Sequence, residues 1–405
     1  MEKYFADTVI VGGGSSGLMC AVSAAEKNKN KKIILIEKEE KTGRKLLATG
    51  NGRCNLTNMQ AGPKNYSGSF EKGVEVLLAE YPPKKVVDCF SRLGLICAPD
   101  AEGRVYPISN HSASVLDVLN LAVKRLDVNV FCGAKVTGIT KNKRKFTVVC
   151  GDFSVICENV VVCCGGKSNS RLGSDGSIYP VLQKLGHKII KPKPSLCQLL
   201  CSDKELKQLH GIRWRGKASF YDGGSLMKEE YGEIQFTENA LSGICIFNLS
   251  ECFYTAKKPV LRLSLIPDVS MDKIMTELKR RRILFAAENP ENFFTGMFHK
   301  KIAAALISKA HIDSEHCCDI SDRQLEKLCE IITAWDFRVV STAGFENSQV
   351  TSGGVWGEEI DENTFESRLV KNLFFCGEVI DVNGECGGYN LQFAFSSAIK
   401  VGNEL

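Results

Sequence analysis

The segment Asp7-Thr-Val-Ile-Val-Gly12-Gly13-Gly14-Ser15-Ser16-Gly17 constrains the fold more tightly than any other part of the chain. Thr8 to Val11 is a short β-branched run of the kind buried on both faces of a parallel sheet. Gly12, Gly14 and Gly17 then satisfy G-x-G-x-x-G, the turn that carries a dinucleotide. Gly12 permits the tight turn, Gly14 has no side chain to block a pyrophosphate, and Gly17 lets the helix close on the strand. The spacing predicts a helix from near Ser15 to about Asn28, with Leu18, Ala21, Val22 and Ala25 on one face. Its N-terminal N–H groups and dipole favour a diphosphate without any cation. A second strand, Ile33 to Ile36, ends at Glu37, 20 residues beyond the last glycine. There the fold places the carboxylate that accepts ribose hydroxyls. Lys38 follows directly and joins the expected cofactor residues. A carboxylate at Glu37 repels a 2′-phosphate, so the site suits FAD or NAD rather than NADP.

Two further stretches favour FAD. Gly43-Arg-Lys-Leu-Leu-Ala-Thr-Gly50-Asn-Gly-Arg-Cys-Asn55 follows the second strand. Arg44, Lys45 and Arg53 can approach phosphate there, and Gly50 and Gly52 allow close backbone passage past a ring; Cys54 sits among them. Near the end, Leu373-Phe-Phe-Cys-Gly377-Glu378 precedes Gly387-Gly388-Tyr389-Asn390-Leu391-Gln392, which opens the last helix. A strand ending in Gly-acid brings a carboxylate to ribityl hydroxyls, and a helix opening at Tyr389 aims N–H groups at the pyrimidine end of a flavin. An ordinary NAD site needs no such returning element.

Length and composition set the frame. At 405 residues the chain holds two or three domains, and 44% hydrophobic with 24% charged residues is ordinary globular usage. A net charge of +5 slightly favours an anionic cofactor or substrate and does not indicate nucleic acid. The densest basic run, Lys279 to Arg282, falls in a helical pattern and reads as a solvated face. The apolar run Val9 to Val11 is too short for a signal-peptide core. No stretch reaches the ~20 apolar residues of a membrane helix, so a cytoplasmic location is expected. The 18 cysteines contain no Cys-x-x-Cys and no zinc or iron–sulfur spacing, so no metal is expected. Thiols such as Cys163, Cys164 and Cys376 lie in apolar runs as small hydrophobes. Their abundance suits a reducing cytosol, including that of an anaerobe.

The order of elements suggests a nucleotide-binding fold interrupted by an insert. Strands are expected at Asn129–Cys132, Lys135–Thr140, Phe146–Cys150, Ser154–Cys157 and Val160–Cys164. Lys191-Pro-Lys-Pro194 marks a crossing into a block with strands at Lys217–Tyr221 and Val260–Leu265. Helical patterns follow near Met271–Ala287, Phe298–Ala310 and Ser321–Trp335, and Ser321 with Gln324 resembles a capping box. The expected division is 1–192 for the first part of the cofactor domain, 193–337 for the insert and 338–405 for the second part.

These pieces resemble the bacterial flavoprotein family that includes YhiN- and BaiN-type proteins. The resemblance rests on Gly12–Gly17, Gly43–Asn58, Gly103-Arg-Val-Tyr-Pro107, Gly173–Gly186, Thr351-Ser-Gly-Gly-Val355 and Gly377–Ala394, in the family's order along nearly the whole chain. It implies an α/β architecture, a Rossmann-like FAD domain of the glutathione-reductase type interrupted by a β-barrel plus helices. It also implies that Ser15, Ser16, Glu37, Arg44, Lys45, Val136, Glu378, Asn390 and Leu391 lie around FAD, with Val136 using its backbone near the adenine. The family often reads G-E-x-L-F-T-H-x-G-x-S-G-P in the insert, whereas this chain has Gly232-Glu-Ile-Gln-Phe-Thr-Glu238-Asn-Ala-Leu-Ser-Gly243-Ile244. Losing the His and Pro bears on the substrate pocket and not on the cofactor.

The family contains reductases of carbon–carbon double bonds conjugated to a 3-oxo group in bile-acid steroids, and aminoacetone oxidases. Without Cys-x-x-Cys a redox-active disulfide of the thioredoxin or glutathione-reductase type is not expected. Without a second G-x-G-x-x-G, NADH or NADPH would visit the flavin only transiently, or dioxygen would take the electrons. The favoured reading is an FAD-dependent, NAD(P)H-linked reductase of conjugated carbon–carbon double bonds in a 3-oxo-Δ4 or Δ4,6 bile-acid-like steroid, a small-molecule substrate of apolar character. The alternatives are an aminoacetone oxidase and a flavin-containing binding protein, RNA-associated or not, in which FAD is structural. Tyr389, Tyr106 and Cys54 are the candidates for proton transfer.

Overall fold

The computed structural model describes residues 2–405, and two compact units divide it: residues up to Ser195 together with Phe345–Leu405, and Leu196–Gly344. In the first unit, Thr8–Val11 is the central strand of a five-stranded parallel sheet. Its order is Leu373–Phe375, Asn159–Val162, Thr8–Val11, Ile33–Ile36, Asn129–Phe131. Thr8–Val11 and Ile33–Ile36 are buried at every position. That is why neither run alternates: both faces are covered. Helix Ser15–Lys27 lies against both strands, while an antiparallel sheet touches the centre of the parallel one. This second sheet comprises Gly138–Asn142, Lys145–Cys150 and Phe153–Cys157, with Glu2–Phe5 added in parallel at its edge.

The expected strand Lys135–Thr140 begins three residues later, at Gly138. Residues 133 and 134 are held instead by the turn after the second strand. The Gly133 amide donates to the Glu39 carbonyl at 2.9 Å and the Ala134 amide to the Glu37 carbonyl at 2.9 Å. This stretch is the crossing between the two sheets, and bonding to the partner strand resumes at Thr137, whose amide donates to the Val149 carbonyl at 2.9 Å.

The last helix, Tyr389–Glu404, returns to the first. A Cβ on Gly377 would lie 3.0 Å from Ser16 Oγ and 3.6 Å from Ala394 Cβ, and one on Gly402 would lie 2.6 Å from Ser23 Cβ and 2.9 Å from the Cys20 carbonyl. Start faces start and end faces end, so the two helices run parallel and their N-termini open on the same side. The proline-rich run expected as a crossing is part of a strand, Ile189–Ser195, paired antiparallel with Val350–Val355.

In the second unit, six strands close a barrel in the order Leu199–Cys201, Ala240–Ser242, Ser225–Phe236, Arg213–Asp222, Pro259–Ser264, Trp335–Thr342. Trp335–Thr342 belongs to this barrel, and the unit ends at Gly344. Helices Met271–Leu284, Lys300–Lys309 and Asp322–Thr333 share its core with Phe293, Phe294 and Phe337. The capping box is present: the Gln324 amide donates to Ser321 Oγ and the Ser321 amide to Gln324 Oε1. The run Lys279–Arg282 is not a uniformly solvated face. Arg281 is buried and donates through Nε to the Phe293 carbonyl at 2.8 Å, and Arg282 donates to the Ile320 carbonyl at 2.9 Å. The guanidinium groups serve backbone carbonyls, so charge density along the sequence misjudged them. No helix among the described residues is long and apolar enough to cross a membrane.

One buried device in the first unit was not legible as more than an ordinary histidine. His187 is buried, with Nδ1 3.1 Å from Glu359 and Nε2 3.1 Å from Ser367 Oγ, which also accepts the Leu369 and Val370 amides. Neutral imidazole donating to Glu359 and accepting from Ser367 satisfies every atom. Burial holds the imidazole below its ordinary value of 6.5, against the pull of Glu359. The folded chain therefore resists a proton that the unfolded chain accepts. Stability is present above about pH 6.5 and falls as the pH drops below it, by at most about 1.4 kcal/mol per pH unit for one group. His187→Gln should flatten the dependence of Tm on pH between about pH 7 and 5 relative to the wild type. Parallel curves from thermal unfolding would exclude His187 as the source.

Candidate functional site

The turn after the central strand separates into structural and open positions. A Cβ at Gly12 would sit 2.5 Å from the Cys163 carbonyl, and one at Gly17 would sit 1.8 Å from the Gly12 carbonyl. Both glycines are thus required by the protein's own backbone. At Gly14 a Cβ would meet nothing within 4 Å. Gly14 is also the N-cap of helix Ser15–Lys27; no side chain caps that end and no acid lies in its first turn. The helix therefore presents free N–H groups and its positive dipole end beside open space, which is what a diphosphate needs. Ser16 is buried at this end and touches the Gly377 position.

Glu37 is fixed by two amides: Gly13 donates to Oε2 at 2.6 Å and Glu39 to Oε1 at 2.8 Å. The carboxylate keeps further lone pairs for ribose hydroxyls. Val136 is close by along the chain from Ala134, whose amide bonds to the Glu37 carbonyl; its own N–H and C=O make no hydrogen bond to other described residues. Lys38 is drawn away to Asp175 at 2.7 Å. Burial opposes ionisation of Asp175, but Lys38 and Ser177 hold its carboxyl down to about 2.

The basic residues expected to reach phosphate are each engaged by protein groups. Arg44 pairs with Glu39. Lys45 reaches Glu378 at 2.8 Å and so ties the short helix Arg44–Ala48 to the C-terminal strand end. The other Glu378 oxygen accepts the Thr351 amide at 2.7 Å. Thr351 is buried and had been visible only as part of a glycine-containing stretch. Its hydroxyl accepts the Lys167 and Ser168 amides at 2.7 and 2.9 Å, which anchors the loop after Asn159–Val162. A pattern of Thr-x-Gly-Gly opposite Gly165-Gly166 is the signal that could have marked it: a Cβ on Gly166 would lie 2.4 Å from Thr351 Oγ1.

The second glycine loop meets the first at Thr57. A Cβ on Gly388 would lie 2.6 Å from the Thr57 carbonyl and 2.8 Å from Asn55 Oδ1, which is buried without a partner among the described residues. The last helix also starts uncapped, at Gly388. Asn390 does not offer its side chain to a ligand: it accepts the Gly384 amide at 2.9 Å and donates to the Gly384 carbonyl at 2.7 Å, closing the loop. Leu391 is half-buried beside it. Gly52, like Gly14, has open space where a Cβ would stand.

The three proton-transfer candidates differ sharply. Cys54 is wholly buried, and burial pushes its thiol up to about 12, so it holds its proton. Tyr389 is half-buried and packs edge-on to Tyr66, with centroids 6.2 Å apart; burial and then Glu385 raise its hydroxyl above the ordinary value. Tyr106, on strand Arg104–Pro107, carries the Arg53 guanidinium 4.7 Å from its ring centroid. Burial raises Tyr106, and Arg104 and Arg53 oppose that rise. All 18 cysteines are free, and no group of three or more His, Cys, Asp or Glu among the described residues could hold a metal.

Residues 6–404 match the model of the HI0933-like protein Rossmann domain. The chain is 31% identical over 398 residues to a 3-dehydro-bile acid delta(4,6)-reductase of Clostridium scindens, covering 97% of each chain. It is 26% identical to a ribosomal RNA dihydrouridine synthase of Escherichia coli, covering 100% of this chain and 98% of that one. A solved 3-ketosteroid-delta4-(5alpha)-dehydrogenase from Rhodococcus jostii shares the fold, with a TM-score of 0.50 at 14% identity over 100% of this chain and 97% of that chain.

The open position at Gly14 gives a clean test of the cradle. Gly14→Val should leave the Tm close to wild type, because nothing in the protein opposes the new side chain, while bound flavin falls about tenfold or more. Gly17→Ala should instead lose at least ~1–3 kcal/mol of stability through overpacking. Absorbance of the purified proteins and thermal unfolding read the two effects separately. Full flavin content in Gly14→Val would place the diphosphate elsewhere.

Proposed function

The chain belongs to the HI0933-like Rossmann family of FAD-dependent oxidoreductases, and on that footing we propose that it reduces a carbon–carbon double bond conjugated to a carbonyl group, in a 3-oxo-Δ4 or Δ4,6 steroid of the bile-acid type. One observation carries the reading. The full-length relatives bear two different names, a bile-acid Δ4,6-reductase and a dihydrouridine synthase, yet the two reactions share one step. Each adds two hydrogens across an alkene that a neighbouring carbonyl makes electron-poor.

FAD is the group that supplies hydride chemistry in such a site. The chain's residues do the rest. The N-terminus of helix Ser15–Lys27 and the space at Gly14 take the diphosphate, and Glu37 takes the ribose. Lys45, Glu378 and Thr351 hold the two glycine loops in register, and the uncapped Tyr389 end offers N–H groups to the far end of the cofactor.

The steroid is favoured over a nucleic acid by likeness and by charge. Identity is higher to the bile-acid reductase, 31% against 26%. The insert Leu196–Gly344 carries 20 Lys and Arg against 20 Asp and Glu, which is no electrostatic platform for a polyanion. Uridine in ribosomal RNA is the second reading, supported by the dihydrouridine synthase likeness. Aminoacetone oxidation remains the alternative from the oxidase side of the family.

An anaerobic absorbance experiment separates them. NADH or NADPH should bleach the flavin bands, and a 3-oxo-Δ4 or Δ4,6 bile acid should restore them while uridine-containing RNA does not. Restoration by RNA alone would move the assignment to the second reading. Bleaching by aminoacetone and not by NAD(P)H would sink the reductase, and no response to any of these would leave flavin as a structural group.

A further inference from the structure

Reduction of a conjugated alkene needs a proton at the carbon next to the carbonyl as well as a hydride at the far carbon. The loops of the first unit offer few acids for it. Glu37 and Glu378 are carboxylates already held by amides and Lys45, and the Cys54 thiol is buried. Tyr66 spends its hydroxyl on the Tyr389 carbonyl at 2.9 Å. Tyr106 and Tyr389 remain, and the charges that face them differ. Glu385 stands near Tyr389, so a negative charge opposes formation of a phenolate there. Tyr106 has the Arg53 cation over its ring, and Arg104, itself paired with Asp100 and Glu102, lies next but one in sequence; Asp100 and Cys386 act against the two cations.

Position agrees with charge. The strand Arg104–Pro107 pairs with Thr57–Asn58, and the Thr57 carbonyl is the contact of Gly388. On the other side, a Cβ on Gly50 would lie 3.8 Å from Tyr106 Cε1. Tyr106 therefore stands where the Thr49–Asn55 loop and the Gly384–Tyr389 loop converge. Its ring is half-buried.

We propose that Tyr106 is the catalytic proton donor and that Arg53 is the positioning residue that makes it one. This rests on the reading of the chain as a reductase of conjugated alkenes. The Tyr106 O–H bond breaks and a C–H bond forms at the carbon next to the carbonyl. The hydride for the far carbon would be supplied by a reduced flavin held in the first unit, with a reduced nicotinamide nucleotide as the source of its electrons. The phenolate left behind is stabilised by the Arg53 guanidinium and regains its proton from water through its half-exposed edge.

The test uses the flavin-loaded protein under anaerobic conditions and separates the two half-reactions. Tyr106→Phe should keep its flavin and its rate of bleaching by NAD(P)H. Reoxidation by the conjugated steroid should slow by about 10²-fold or more. Arg53→Met should raise the midpoint of the Tyr106 phenol titration, read as the ultraviolet difference between proteins with and without Tyr106→Phe. A merely structural Arg53 would leave that midpoint in place. Wild-type reoxidation in Tyr106→Phe overturns the proposal and leaves the reductase reading intact. A wild-type protein whose reduced flavin ignores every conjugated alkene overturns both.

Discussion

The fold of the first unit turns on one contact between backbones, Gly17 against the Gly12 carbonyl. The approach leaves no room for a single carbon atom at position 17. It seats helix Ser15–Lys27 on the central strand at the one angle that leaves its first N–H groups at the sheet's end. Other elements take their places from that helix. Glu37 is bound to Gly13 of the same turn, Gly43 donates to the Gly13 carbonyl at 2.9 Å, and the final helix aligns along the first through Ser16 and Ser23. The four separate stretches of the candidate cofactor site are thereby referred to one rigid origin, which is how a site keeps its geometry without a dense network of side-chain bonds.

Much of this was legible because the relevant physics is local. Thr8–Val11 and Ile33–Ile36 have the bounds that β-branching and the glycines predict, and Ser321 with Gln324 caps its helix as the spacing implies. What escaped was decided by partners distant in sequence. Lys135 to Thr137 has a strand-like composition but follows Gly133 and Ala134, which are held by carbonyls about a hundred residues upstream, and strand pairing begins only as Thr137 reaches the Val149 carbonyl. Arg281 is charged yet buried, because unsatisfied carbonyls of the turn at Phe293 need its fork. The setting of His187 is not readable locally, because Glu359 and Ser367 lie more than 170 residues away. The basic residues of the Gly43–Asn55 loop were visible, but not that acids at Glu39 and Glu378 engage Arg44 and Lys45.

The distribution of charge adds a constraint that the total conceals. The insert is balanced at 20 against 20, so the whole excess of +5 resides in the unit that carries the cradle. Since Arg44, Lys45 and Lys38 are paired with acids, that excess is a diffuse field and not a set of direct phosphate contacts. Such a field raises the local concentration of an anionic cofactor while leaving its recognition to amides and dipoles. Recognition by backbone groups is insensitive to side-chain drift, whereas the field is screened by salt.

The parallel seating of Tyr389–Glu404 on Ser15–Lys27 has a consequence for how the chain is made. The first strand and helix leave the ribosome early, but the surface that covers Cys20 to Ala24 is supplied by Gly402, three residues from the end. Throughout translation the amino-terminal half carries an uncovered apolar flank, while the barrel segment, contiguous from Leu196 to Gly344, has all of its own core by the time it emerges. The Leu196–Gly344 unit can therefore complete its own core before the helix that covers Ser15–Lys27 has been made. Long sequence separation slows that closure, and apolar surface left exposed until then invites association.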